Sequence, residues 1–177
     1  MFRTLGAIAM AAVVVTAAAV AQEGRTEFGV DVGLIAQKAS AARDWAVTIR
    51  TPVDLRIGIP VGTQLRIEPR IAGSYVTSGG YNLYALDPGL NLLIGTPGST
   101  ERRGMYVTVG ADYALAGGSG MSGEGYVSFN AGFGVRSPLA SAAWRPEMFV
   151  AFTPKQGTTI SSSVFAIGMR LGLSFFN

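Results

Sequence analysis

From Ser163 to Phe176 the chain alternates residue by residue, and that alternation confines it to β structure with two unlike faces. Phe165, Ile167, Met169, Leu171, Leu173 and Phe175 share one face; Val164, Ala166, Gly168, Arg170, Gly172 and Ser174 share the other. A period of two is the signature of a strand, because successive side chains leave a pleated backbone on opposite sides. The first face is wholly apolar and ends on the aromatic pair Phe175 and Phe176. The second is small apart from one arginine, which suits the cramped interior of a narrow barrel whose outside meets lipid.

The same period recurs upstream. Eight alternating segments are expected, at 27–36, 45–59, 65–76, 81–95, 105–115, 125–136, 144–153 and 163–176. Each is long enough for the roughly 9–11 residues that a tilted strand needs to cross a bilayer. The joints at 37–44, 77–80, 116–124 and 154–162 are polar and rich in small residues, and those at 60–64, 96–104 and 137–143 alternate with them. No stretch after residue 22 carries a helical stripe. Residues 1–21 read as a signal peptide: a positive start at Arg3, an apolar run from Leu5 to Val20 and the small-residue pattern Ala19-Val20-Ala21. The mature domain is then 22–177, and its amino terminus is expected in the periplasm, with the first set of joints facing outside.

Composition removes most chemistries. The 177 residues contain no cysteine and no histidine. Disulfides, thiolate metal sites and the commonest general base are therefore absent, and neither catalysis nor a cofactor is expected. The net charge of +3 is small and scattered, so no nucleic-acid partner is expected. The run 117–125 (GGSGMSGEG) is glycine-rich but has no lysine partner and opens no helix, so it reads as a loop and not as a phosphate cradle.

Every charge within a predicted strand falls on the small face: Arg50, Arg56, Arg66, Arg70, Arg136, Arg145 and Arg170 against Glu27, Asp31, Asp54, Glu68, Asp87, Asp112 and Glu147. A soluble barrel would show these charges to water, whereas a membrane barrel turns them into its lumen. Both lysines, Lys38 and Lys155, fall in joints. A solvated face uses lysine freely, while a buried paired site favours the forked guanidinium. Glycine and alanine on the same face make room for the arginines in an eight-stranded interior. A lumenal ionic network of Asp31, Asp54, Arg56, Glu68, Arg70, Asp87, Glu147 and Arg170 is expected. Opposing Arg56 to Glu68 and Asp54 to Arg70 avoids like charges face to face. A joint at 77–80 then sets Arg70 opposite Asp87, and Asp31 and Glu147 both reach Arg170. Pro52, Pro69, Pro88 and Pro146 lie inside strands, where bulges or breaks are expected because proline donates no hydrogen bond to a ladder. Pro69 and Pro88 are expected to face one another. Aromatic girdles are expected from Trp45, Tyr75, Tyr81, Tyr84, Tyr113, Tyr126 and Phe152 at one end and Phe28, Tyr106, Trp144 and Phe175 at the other.

On the signal segment, the eight alternating segments and the closing run Gly168-Met169-Arg170-Leu171-Gly172-Leu173-Ser174-Phe175-Phe176, the chain resembles the small outer-membrane barrel family, the eight-stranded outer-membrane protein A-like and X-like domains. The resemblance implies an all-β, antiparallel, up-and-down transmembrane barrel in the outer membrane. It also implies that lipid is its surroundings and that the barrel assembly machinery reads its last strand, here followed by Asn177. The expected role is structural or surface interaction with a plugged lumen. The alternatives are a narrow porin-like channel, a lipid-modifying enzyme, for which the family's histidine is missing, and a soluble lipocalin-like binding barrel.

Overall fold

The structure, a computed structural model, describes residues 24–78, 81–118, 121–156 and 161–177, without the side chains of 48–53, 74–78, 81, 83 and 121–124. The expected signal peptide, the Arg50 side chain and the rings of Tyr75 and Tyr81 lie outside the described residues. The strands are β1 (Glu27–Ala39), β2 (Ala46–Pro60), β3 (Leu65–Ser78), β4 (Tyr81–Gly95), β5 (Gly104–Gly118), β6 (Met121–Leu139), β7 (Ala142–Thr153) and β8 (Val164–Phe176). Each pairs antiparallel with its neighbour, and β8 returns to β1, so the sheet closes into a barrel with no free edge.

The end where β1 begins and β8 finishes is called proximal. Asn177 donates its backbone N–H to Thr26 there at 3.1 Å. Joints 61–64, 96–103 and 140–141 lie at this end, and β1, β3, β5 and β7 end at the opposite, distal end. Several strands run further than expected, and the presumed joints shrink. Thr77 pairs with Asn82, Ser78 with Tyr81, Ala116 with Glu124 and Leu139 with Ala142. Small residues had marked these stretches as loops, but nothing in glycine or serine prevents extended pairing. Lys38 likewise belongs to β1, opposite Phe165. The two-residue joint after β6 puts Ala140 at φ 47°, a left-handed conformation that tight hairpins demand.

The four prolines expected to break ladders each sit at an interruption, whereas Pro60 and Pro138, near strand ends, pair with Arg66 and Ala143. Opposite Pro52 the β1–β2 register shifts between Asp31 and Gly33. At Pro69 the β2–β3 pairing skips from Arg56–Arg70 to Ile59–Ile67, at Pro88 the β4–β5 pairing skips from Leu86–Leu115 to Gly89–Asp112, and at Pro146 the β6–β7 pairing skips from Gly134–Glu147 to Ser137–Trp144. Pro69 and Pro88 do not face one another; their partners are Leu90 and Ile71.

The polarity of the wall is inverted relative to a soluble protein. Leu171, Val109 and Phe129 are 46–52% exposed on the outside, while Arg56 is 4% exposed and Glu27 fully enclosed. A lipocalin-like barrel would hide the first set and show the second, so that alternative is overturned; this is the wall of a transmembrane barrel. Phe28, Trp144 and Phe175 at the proximal rim and Trp45, Tyr84, Tyr113 and Phe152 toward the distal rim are exposed, as girdles require. Tyr106 and Tyr126 are not girdle residues. Tyr106 is buried in the lumen and Tyr126 lines its distal half, because each shares the parity of the lumenal residues of its strand, Asp112 on β5 and Asn130 on β6.

Candidate functional site

Glycine seats the large lumenal side chains. Arg56 stands opposite Gly29, Glu27 opposite Gly58, Asp112 opposite Gly89, Tyr106 between Gly95 and Gly134, Phe149 between Gly132 and Gly168, and Asp31 opposite Gly172. A Cβ at Gly29 would strike the Arg56 guanidinium, one at Gly134 the Tyr106 ring, and one at Gly172 the Asp31 carboxylate. Polar parity on the strands thus divides into bulky residues and the bare backbone over which they lie.

In the proximal half, two glutamates hold three arginines. Glu27 accepts hydrogen bonds from Arg56, from Arg136 Nη2 at 2.5 Å, from Arg145 Nη1 at 3.2 Å and from the Ser174 hydroxyl at 2.6 Å. Glu68 takes the Arg145 fork on both oxygens, each at 2.7 Å. Such two-pronged, charge-assisted pairs fix geometry as well as adding energy. Arg145 Nε donates to the Tyr106 hydroxyl at 2.9 Å, with its guanidinium 4.6 Å from that ring's centroid and that of Arg136 at 5.4 Å. Below this knot, the 96–103 joint folds across the barrel mouth. Glu101 accepts from the Arg25 backbone N–H at 2.6 Å, and Arg102 donates to the carbonyls of Ala140 and Ser141 at 3.1 and 2.8 Å.

The distal half is looser. Arg70 pairs with Asp54, while its Nε stands 3.7 Å from Asp112 Oδ1. Asp112 Oδ2 accepts from Asn130 Nδ2 at 2.7 Å. Arg170 Nη1 donates to Glu147 at 2.9 Å, and the centre of its guanidinium lies 4.1 Å from the centroid of Phe149. Between these groups is a cavity of about 110 Å³ whose wall includes Asp31, Asp54, Asp87, Asp112, Arg70 and Arg170. The layers join through Arg145 and Glu147 at 3.6 Å and through Arg56 Nε donating to Asp31 at 2.8 Å.

The network expected from sequence changes partners in three places. Arg56 faces Arg70, not Glu68, and Asp54 does not face Arg70, although Arg70 pairs with Asp54 and Arg56 lies 3.9 Å from Glu68. Arg70 faces Gly89, not Asp87, because Ser78 and Tyr81 pair and the joint is only 79–80. Asp31 faces Gly172 and binds Arg56, not Arg170. Glu147 and Arg170 do face one another. Opposed arginines are tolerated because each long side chain swings off the direct line, Arg56 proximally to Glu27 and Arg70 distally to Asp54, over neighbouring glycines. Glu27, Arg136, Arg145, Tyr106 and Ser174 were outside the expected network. Their shared parity was visible, but their convergence follows from closing the barrel over separations of up to 147 residues.

No family model matches the sequence, and comparison with curated proteins finds no significant match. Solved structures do match. Neisserial surface protein A has a TM-score of 0.64 at 11% identity, covering 86% of this chain and 99% of that one. Ail, the attachment invasion locus protein of Yersinia pestis, has a TM-score of 0.51 at 11% identity, covering 87% of this chain and all of that one. Ail also matches, with the same score, in a structure that holds the heparin analogue sucrose octasulfate. The likeness establishes a shared fold, the small eight-stranded membrane barrel.

Proposed function

We propose that this chain is an integral outer-membrane barrel whose lumen is sealed at the periplasmic end, with a non-enzymatic structural or surface role and not that of an open pore. The carrying observation is Arg145, 3% exposed and gripped by Glu68 and Glu27 across the proximal lumen. Opening that plug would leave ions uncompensated in a low-dielectric interior, at several kcal/mol each. The proximal end faces the periplasm in this reading, since it carries the end of the exported amino terminus. Apolar side chains around the wall face hydrocarbon, and the alternating β8 strand ending in Phe175 and Phe176 is what the assembly machinery engages. A cavity above the plug favours a wet distal half, but a continuous channel would have to pass Arg145.

The cysteine-free chain makes the orientation simple to test. With Lys155→Cys at the distal joint and Arg103→Cys at the proximal joint, a membrane-impermeant maleimide applied to intact cells is expected to label only the first. Purified protein in planar bilayers is expected to pass no large steady current. Labelling of Arg103→Cys from outside would overturn the orientation, and a sustained current would overturn the plug.

A further inference from the structure

We propose that the outer face of the wall formed by β1, β2 and β3 holds one acyl chain of a membrane phospholipid in a preformed groove. The inference needs the lipid-facing wall, but neither the orientation nor the closed lumen of the preceding reading.

The groove follows from a proline. The pairs on either side, Arg56–Arg70 and Ile59–Ile67, set Ile57 opposite Pro69, and that position makes no ladder pair. Glu68 and Arg70 turn into the lumen, so Pro69 shares the outward face with Ile67 and Ile71. Its ring reaches less far than the isoleucines beside it, and the wall is hollow there. The groove has a volume of about 450 Å³ and is walled by Phe28, Val30, Leu55, Ile57, Ile71 and Phe175. That volume falls within the range of ligand clefts, roughly 300–1,000 Å³. Gly29, Arg56 and Arg70 lie beneath it. Gly29 has no side chain, and the two guanidinium groups are held inside the barrel, Arg56 by Glu27 and Asp31 and Arg70 by Asp54.

The lining selects the occupant. An apolar hollow does not hold water but takes up hydrocarbon. A second copy placed by a two-fold axis through the groove would present the same hollow, and two hollows face to face leave their linings without contacts. An extended peptide would bring backbone N–H and C=O groups that find no partner in hydrocarbon. A lipid tail carries no donor, bends to fit, and already bathes this wall. Phe28 and Phe175 face one another at the proximal rim, so the tail enters from the head-group level of that leaflet. Positive charge stands at the same rim: Arg25 is exposed three residues before Phe28, and the Arg102 guanidinium is 6.0 Å from the centroid of the Phe176 ring. A phosphate at the head of the tail meets the favourable sign.

The test is native mass spectrometry of the barrel, stripped of lipid in detergent and titrated with palmitoyl-oleoyl phosphatidylglycerol. A single-lipid adduct is expected to saturate before further lipids add. Ile57→Trp, which fills the hollow beside Pro69, is expected to weaken that adduct by about tenfold or more. Val109→Trp, at an exposed position on β5 away from the groove, is expected to leave it unchanged. Should Ile57→Trp fail to fold, the wild-type protein decides: glycerophosphoglycerol, the head group without tails, is expected to give no saturable adduct. The proposal is overturned by Ile57→Trp binding as the wild type does, by Val109→Trp weakening the adduct equally, or by lipids adding with no preferred first site. Binding of the head group alone, or a barrel dimer in place of the adduct, overturns it as well. Labelling and conductance test the preceding reading, so either can fail without the other.

Discussion

The two halves of the lumen use the same chemistry and reach different outcomes. Proximally, Glu27 and Glu68 meet Arg56, Arg136 and Arg145 in a filled cross-section that also holds Tyr106. Distally, Asp54, Asp87 and Asp112 stand near Arg70 around a cavity. One difference between the acids that face Arg70 and those that face Arg145 is a methylene. A glutamate carries its carboxylate further toward the axis, where two strands' arginines share it, whereas an aspartate holds its charge near the wall and leaves the centre open. Side-chain length, more than charge count, decides which half is a plug.

The sharpest way to break that contrast is to remove one member of the plug. Glu68→Gln removes the carboxylate that takes both prongs of the buried Arg145 fork, leaving it only the more distant Glu27 and Glu147, and is expected to cost about 3 kcal/mol in equilibrium urea unfolding from lipid vesicles. The double variant Glu68→Leu with Arg145→Met is expected to recover most of that loss, because an apolar pair removes both charges together. If the double variant is as unstable as the single one, the knot is not a balanced pair and the plug argument fails.

Glycine gives the second test. Gly134→Val puts a side chain into the Tyr106 ring and is expected to cost about 1–3 kcal/mol by overpacking. In the distal half, the contacts of Gly33→Ala among the described side chains and backbone are Met169 O at 3.5 Å and Arg170 Cγ at 3.9 Å, ordinary distances, and the variant is expected within about 0.5 kcal/mol of wild type. Equal costs in unfolding titrations would show that the halves are packed alike.

These contrasts also mark how far the sequence can be read. Parity placed every described lumenal charge on the correct face, because a strand's two faces are fixed by its own residues. The facing residues were misassigned by two at both Arg56 and Arg70, since the register depends on where the hairpins turn, although Arg70 still reaches Asp54 and Arg56 still reaches Glu68. A slip of two keeps every side chain on its face while exchanging its neighbours, so the fold survived an error that the network did not. The four mid-strand prolines were legible for the opposite reason: a missing N–H in mid-strand disturbs a ladder whatever the register. Glu27 was legible as lumenal but not as a hub, for its partners Arg136 and Arg145 lie 109 and 118 residues away and meet it only when β8 closes on β1.

The smallest expected effect bears most directly on the methylene argument. Asp54→Asn should cost about 1 kcal/mol or less, because Arg70 keeps Asp112 nearby and the cavity can hydrate what is lost. Asp112→Glu should then move the distal half toward the proximal one: the longer arm closes the 3.7 Å gap to Arg70 and takes up part of the cavity. Stability is expected to change by less than about 0.5 kcal/mol, while the Asn130 amide loses its partner's position and exchanges faster with solvent. An Asn130 side chain as protected in Asp112→Glu as in the wild type would mean that the cavity is held open by the backbone and not by the short reach of aspartate.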